Sequence, residues 1–136
     1  MANMKIYGVP FSQPVRAVLW LLLMKRQTFE LVMVNPGSSG ENGSRHPDYL
    51  KMNPAGTIPC LLEPDTGFSV GESHAIMTYL ADKYGWSDVY PEALQMRAKM
   101  NAYLQKLASI QSRTSSSNLH SSLRRWSSEV RLEEAR

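Results

Sequence analysis

Two β-forming runs joined by one short helix, all within the first 34 residues, set the strongest limit on how this chain folds. Residues 4–9, Met-Lys-Ile-Tyr-Gly-Val, form an apolar run suited to a strand, and Pro10 ends it. Pro14 suits the first turn of a helix, where its missing N–H would have no partner in any case. From Pro14 to about Arg26, Val15, Val18, Leu19 and Leu22 recur at helical spacing. Phe29–Val34 then alternates and is rich in β-formers. Strand, helix and strand in that succession make a right-handed crossover, so the two strands are expected to lie parallel.

The rest of the first 85 residues completes one small domain. Residues 35–44, Asn-Pro-Gly-Ser-Ser-Gly-Glu-Asn-Gly-Ser, hold no apolar group except the ring of Pro36 and are expected as an exposed, mobile loop. A helical turn over Pro47–Met52 leads to strands at Ile58–Glu63 and Phe68–Val70, which the Pro-Asp-Thr-Gly turn folds into an antiparallel hairpin. Ser73 starts a helix whose Ile76, Tyr79, Leu80 and Tyr84 are expected to face the sheet, and Gly85 suits its end. The order is β-α-β-α-β-β-α, an α/β domain over residues 1–85. A linker at 86–91 precedes a helical segment, 92–136. There Leu94, Ala98, Tyr103 and Leu107 fall near one stripe as far as about Gln111. Beyond it, eight of the 17 residues 112–128 are Ser, a composition that opposes a packed helix, although Trp126, Val130 and Leu132 allow a weak terminal one.

Composition narrows the functional classes. The 136 residues suffice for one small domain and part of a second. The net charge of +3 is modest and sits mostly in the tail. No basic stripe with interleaved aromatics appears, so nucleic acid is not an expected partner. One cysteine, Cys60, excludes an internal disulfide and any CxxC redox pair, which fits a reducing compartment. Inside an apolar strand it is expected to pack rather than react. The opening residues lack a signal-peptide pattern and Leu19–Met24 is too short to span a bilayer, so a cytoplasmic location away from membranes is expected.

Three blocks are more specific than the element order. Phe11-Ser12-Gln13-Pro14-Val15-Arg16-Ala17-Val18, Asn53-Pro54-Ala55-Gly56-Thr57-Ile58-Pro59 and Glu72-Ser73-His74-Ala75-Ile76 resemble blocks of glutathione S-transferases, in their order and spacing. The likeness is to the theta and delta classes. It extends through Tyr90-Pro91 and Gln95–Leu104 to cover about residues 4–107. It implies a thioredoxin-like domain that binds glutathione as co-substrate without a metal, followed by a helical domain. It also implies a homodimer acting on small electrophiles.

The resemblance assigns roles that the residue chemistry can support. Ser12, at the mouth of the first helix, is the implied catalytic residue: its hydroxyl and the positive end of the helix dipole favour a thiolate. A free thiol has a pKa of about 8.5, so each tenfold gain in thiolate requires about 1.4 kcal/mol, within reach of one charge-assisted hydrogen bond. Read without the family, Ser12 is simply a helix N-cap. Ile58 and Pro59 are implied to pair with the cysteinyl part of glutathione across a cis peptide bond; alone, Pro59 would merely open an edge strand. Ser73 and the N–H groups of its turn suit the γ-glutamyl carboxylate, and Glu72 suits the ammonium, while both also serve as an ordinary helix start. Asn101 stands where theta members carry an Asp that reaches the γ-glutamyl amine across a dimer; otherwise it is a surface residue.

The glycyl end matches less well. Delta members place a His where Gly56 lies, and theta members a Lys where Thr57 lies. His46 is the candidate replacement, with Thr57 and His74 as further contacts; as a lone His before Pro, His46 also reads as a plain exposed loop residue. Family members continue for roughly a hundred more residues that shape the electrophile pocket, so a shortened product or a wall supplied by another chain is expected. Two functions therefore stand: a transferase that activates glutathione and conjugates it, or a non-catalytic transferase-like module that mediates protein assembly.

Overall fold

The structure, a computed structural model, describes residues 4–113. The chain divides into two compact units, Met1–Val89 and Tyr90–Arg136. The first contains β1 (Lys5–Gly8), α1 (Gln13–Met24), β2 (Glu30–Met33), α2 (Pro47–Met52), β3 (Cys60–Glu63), β4 (Phe68–Gly71) and α3 (Ser73–Tyr84). The sheet order is β2-β1-β3-β4. β1 and β2 are parallel, as the crossover requires, whereas β1/β3 and β3/β4 are antiparallel. This is the α/β, thioredoxin-like arrangement expected from the sequence.

Alternation along the strands makes two cores. Ile6 and Leu61 point to one face and pack with Val18 and Leu22 of α1 and Ile76 and Leu80 of α3. All six are fully buried, each contributing on the order of 2 kcal/mol by leaving water. Cys60, the neighbour of Leu61, faces the other way and packs with Val34, Tyr49 and the half-buried Tyr7 beneath α2. The helices thus cover both faces of the sheet. α1 approaches β1 closely enough that a Cβ on Gly8 would lie 2.7 Å from Val15 Cγ2, so glycine is needed where the strand ends.

Three expectations are corrected. Residues 35–44 are not a uniformly exposed, mobile loop: Gly43 and Ser44 are buried. The Ser44 hydroxyl oxygen accepts from the Gly37 N–H at 2.8 Å, and Asn35 bridges to Gly43. Small polar residues satisfy one another's backbone groups and so tuck the segment inward without an apolar side chain. Tyr84 does not face the sheet; it stacks on Trp86 at 5.2 Å beyond the end of the helix. Gly85 at φ +67 turns the chain back there, and Lys25 reaches the same connector by donating to Asp88 at 2.6 Å. Finally, β3 begins at Cys60 rather than Ile58, because Pro59 has no N–H to give the ladder.

In the second unit, α4 spans Leu94–Arg113. From its first turn, the Arg97 guanidinium reaches back to lie 4.1 Å from the centre of the Tyr90 ring while its Nε–H donates to the Pro91 carbonyl. The expected terminal helix around Trp126 lies outside the described residues. Among the described residues no helix is long and apolar enough to cross a membrane.

Candidate functional site

Strand register gathers three turns at one end of the sheet. Tyr7 of β1 pairs with Cys60, which also pairs with Gly71 of β4. The chain just past β1, just ahead of β3 and just past β4 therefore meets at a single edge. Those stretches carry Ser12, Thr57-Ile58-Pro59 and Glu72-Ser73.

Ser12 is the N-cap residue of α1, half-buried, with φ −75° and ψ 126°. Its backbone does the ordinary work of a helix start: the N–H donates to Val9 and the carbonyl accepts from Arg16. Its side chain makes no capping hydrogen bond. The hydroxyl is thus left available at the positive end of the α1 dipole, where an anion is favoured.

The Ile58–Pro59 peptide bond is cis. One residue earlier, the Thr57 carbonyl accepts two hydrogen bonds, from the Tyr49 hydroxyl at 2.5 Å and from Asn53 Nδ2 at 2.8 Å. Asn53 is 5% exposed, and Gly71 leaves it room: a Cβ there would come within 2.8 Å of Asn53 Oδ1. Sequence reasoning did not single out Tyr49 or Asn53. The available signal was an Asn before a proline turn, a residue type that habitually bonds nearby backbone. Gly56 occupies φ +65°, so the position where delta members place a histidine has a backbone that suits glycine.

Glu72 is exposed and holds φ +67°, a conformation costly for a residue with a side chain. Its backbone carbonyl accepts from Ile76, and its carboxylate caps nothing. Ser73 follows, 93% buried by its 7% exposure, in the first turn of α3 with the half-buried His74. Backbone strain of this kind, held in place at an acidic residue beside a helix start, is characteristic of sites built for a ligand.

His46 behaves differently. It is the N-cap of α2, and its Nδ1 accepts from the Asp48 N–H at 3.2 Å. It also borders a cavity of about 440 Å³ on the α2 face, floored by Tyr7, Val34 and Tyr49; Ser12, Ile58 and Glu72 do not line that cavity. Asn101 lies in the second unit and its Oδ1 accepts from the Tyr90 hydroxyl at 2.6 Å, leaving the amide oxygen one further lone pair. Cys60 is fully buried, and burial pushes its thiol up to about 11. Burial likewise pushes the Tyr49 phenol up to about 12, so it remains a donor through the neutral range.

Comparison with known proteins defines the class. The family pattern described as "Glutathione S-transferase, N-terminal domain" matches residues 6–89, and the chain belongs to the glutathione S-transferase family. Glutathione S-transferase D7 of Drosophila melanogaster is 33% identical over 106 residues, 76% of this chain and 45% of the relative. Among solved structures, a glutathione transferase homologue from Drosophila mojavensis with bound glutathione superposes with a TM-score of 0.71 at 32% identity, covering 81% of this chain and 48% of the other. Human glutathione transferase theta-2, in complex with glutathione, gives 0.67 at 31% identity, covering 79% and 43%. The chain therefore spans about half the length of the relatives it matches.

Proposed function

We propose that the chain binds glutathione at the shared sheet end and stabilises its thiolate through the Ser12 hydroxyl, for attack on small electrophiles. The observation that carries this reading is the Ser12 side chain, which sits at a helix N-terminus and yet caps nothing. A cap would hold the hydroxyl oxygen against a backbone N–H of α1; without one, the side chain is free to turn its O–H toward a sulfur. In this reading the Ile58 backbone pairs with the cysteinyl residue, assisted by Thr57 and Pro59. Ser73, with His74 beside it, receives the γ-glutamyl carboxylate, and Glu72 faces the ammonium. Asn101 adds a neutral acceptor for that ammonium from a second copy in a homodimer. His46 offers Nε2 to the glycyl carboxylate.

A second reading, a non-catalytic transferase-like module that mediates protein assembly, is favoured by one observation: Gly56 and Thr57 offer no cation for the glycyl end of glutathione. Isothermal titration of the protein and of Ser12→Ala with reduced glutathione tests the first step. The wild-type chain is expected to release heat, and its bound thiol to titrate below the free value of about 8.5. Folded protein giving no heat would end the binding claim. Binding with an equal thiol pKa in both proteins would remove the role of Ser12. Turnover of a chlorodinitrobenzene electrophile separates the transferase from the module, and light scattering at tens of micromolar tests the dimer.

A further inference from the structure

We propose that Tyr49 and Asn53 are positioning residues for glutathione, because together they grip the Thr57 carbonyl from inside the domain and thereby aim the Ile58 N–H at the peptide ligand. The inference rests on the glutathione-binding reading above. It adds two residues that touch no ligand and act through one peptide group.

The geometry follows from a single plane. The Thr57 carbonyl and the Ile58 N–H belong to one trans peptide unit, so they point in opposite directions and cannot rotate independently. Two donors fix one end of that unit: the Tyr49 hydroxyl at 2.5 Å and Asn53 Nδ2 at 2.8 Å. Both come from inside. Tyr49 is 5% exposed in the core beneath α2, and Asn53 is 5% exposed against Gly71. The other end of the plane, the Ile58 N–H, is consequently turned away from the core. It has no acceptor among the described residues, and β3 does not begin until Cys60.

The grip is itself braced. Asn53 ends α2, donating its own N–H to the Tyr49 carbonyl, while the Ser69 hydroxyl donates to the Met52 carbonyl at 2.9 Å and ties this corner to β4. Tyr49 is also held edge-on to Tyr7 of β1 at 6.1 Å. Burial keeps the Tyr49 phenol protonated to about 12, so the bond persists wherever the site operates. An added-strand ligand depends on donors presented in register, and a peptide plane free to rock would present this one only part of the time.

Tyr49→Phe removes the hydroxyl and keeps the ring. At a temperature well below unfolding, its Kd for reduced glutathione is expected to rise about five- to tenfold, the equivalent of one lost hydrogen bond. The pKa of the bound thiol should stay at the wild-type value, since Ser12 is untouched. The backbone N–H order parameter at Ile58 in the free protein should fall at the same time. A purely structural role predicts a lower melting temperature with unchanged affinity and an unchanged Ile58 order parameter, and that result would overturn the proposal. If Tyr49→Phe does not fold, Asn53→Ala takes its place with the same readouts. Wild-type protein that fails to bind glutathione would overturn the site itself and this inference with it. Wild-type binding with equal affinity in the variant would overturn this inference alone.

Discussion

The starts of α1 and α2 look alike in the chain and do opposite things. Each has an N-cap residue in an extended conformation followed closely by a proline, at Ser12 and at His46. At α2 the side chain turns back and accepts from its own helix, at the Asp48 N–H. At α1, where serine is the stronger capping residue by preference, the side chain does not cap. A good capping residue that does not cap leaves its hydroxyl unspent by the helix. A third start, at Glu72, sharpens the lesson, since there the backbone itself is bent into an unfavourable region while the side chain stays unengaged by the helix.

Substitutions at these starts separate function from stability. The largest effect is expected for Ser12→Ala, which should slow conjugation at neutral pH by about tenfold or more while changing stability by less than about 0.5 kcal/mol. A stability loss near 1 kcal/mol by urea titration would show the hydroxyl to be an ordinary cap and dissolve the contrast. Next, Glu72→Gly should stabilise the fold by about 1 kcal/mol, relieving the positive φ at some entropic cost, and should weaken glutathione binding in calorimetry. A variant no more stable than wild type would mean the bend is not strained. At α2, His46→Ala should cost up to about 1 kcal/mol and His46→Asn should restore it, because the ring nitrogen there acts as a cap. Equal stability of both variants would argue against that bond.

The last effect is confined to alkali. Cys60 and Tyr49 have pKa values raised by burial from 9.0 to about 11 and from 10.0 to about 12. The unfolded chain therefore loses these protons first. Their stabilisation is complete below about pH 9 and declines as pH rises, through about 11 for Cys60 and about 12 for Tyr49. Cys60→Ala should flatten the first part of that decline in denaturant titrations at stepped pH. An unchanged slope would place the ionising group elsewhere.

Much of the fold was legible because it rests on periodicity. Val15, Val18 and Leu22 repeat at helical spacing and all three are buried; Ile6 and Leu61 hold the shared core face of paired strands. The inward tuck of Ser44 was not legible, since its burial comes from hydrogen bonds between small polar residues that composition assigns to solvent. Tyr84 misled for the reverse reason: it keeps the helical register but lies in the last turn, where Trp86 offers it a partner outside the sheet. At the site, the three motif blocks were readable and their meeting at one sheet end follows from register. The grip on Thr57 was only half signalled: Asn53 before a proline is of a type that bonds nearby backbone, but nothing in the sequence marks Tyr49 as the second donor to the same carbonyl.

The burial of Cys60 has a consequence for a domain proposed to raise the local supply of thiolate. Thiol–disulfide exchange runs through the thiolate, so a cysteine beside an oxidised peptide thiol is a trap into which the protein locks itself as a mixed disulfide. The chain has one cysteine, two positions from Ile58, and it lies on the sheet's inner surface with no exposed area. Neither sulfur can reach the other without the strand coming apart. In the proposed reading the active edge would handle a reactive sulfur while the buried Cys60 stays out of the chemistry, and oxidised glutathione is expected to leave the folded domain unmodified.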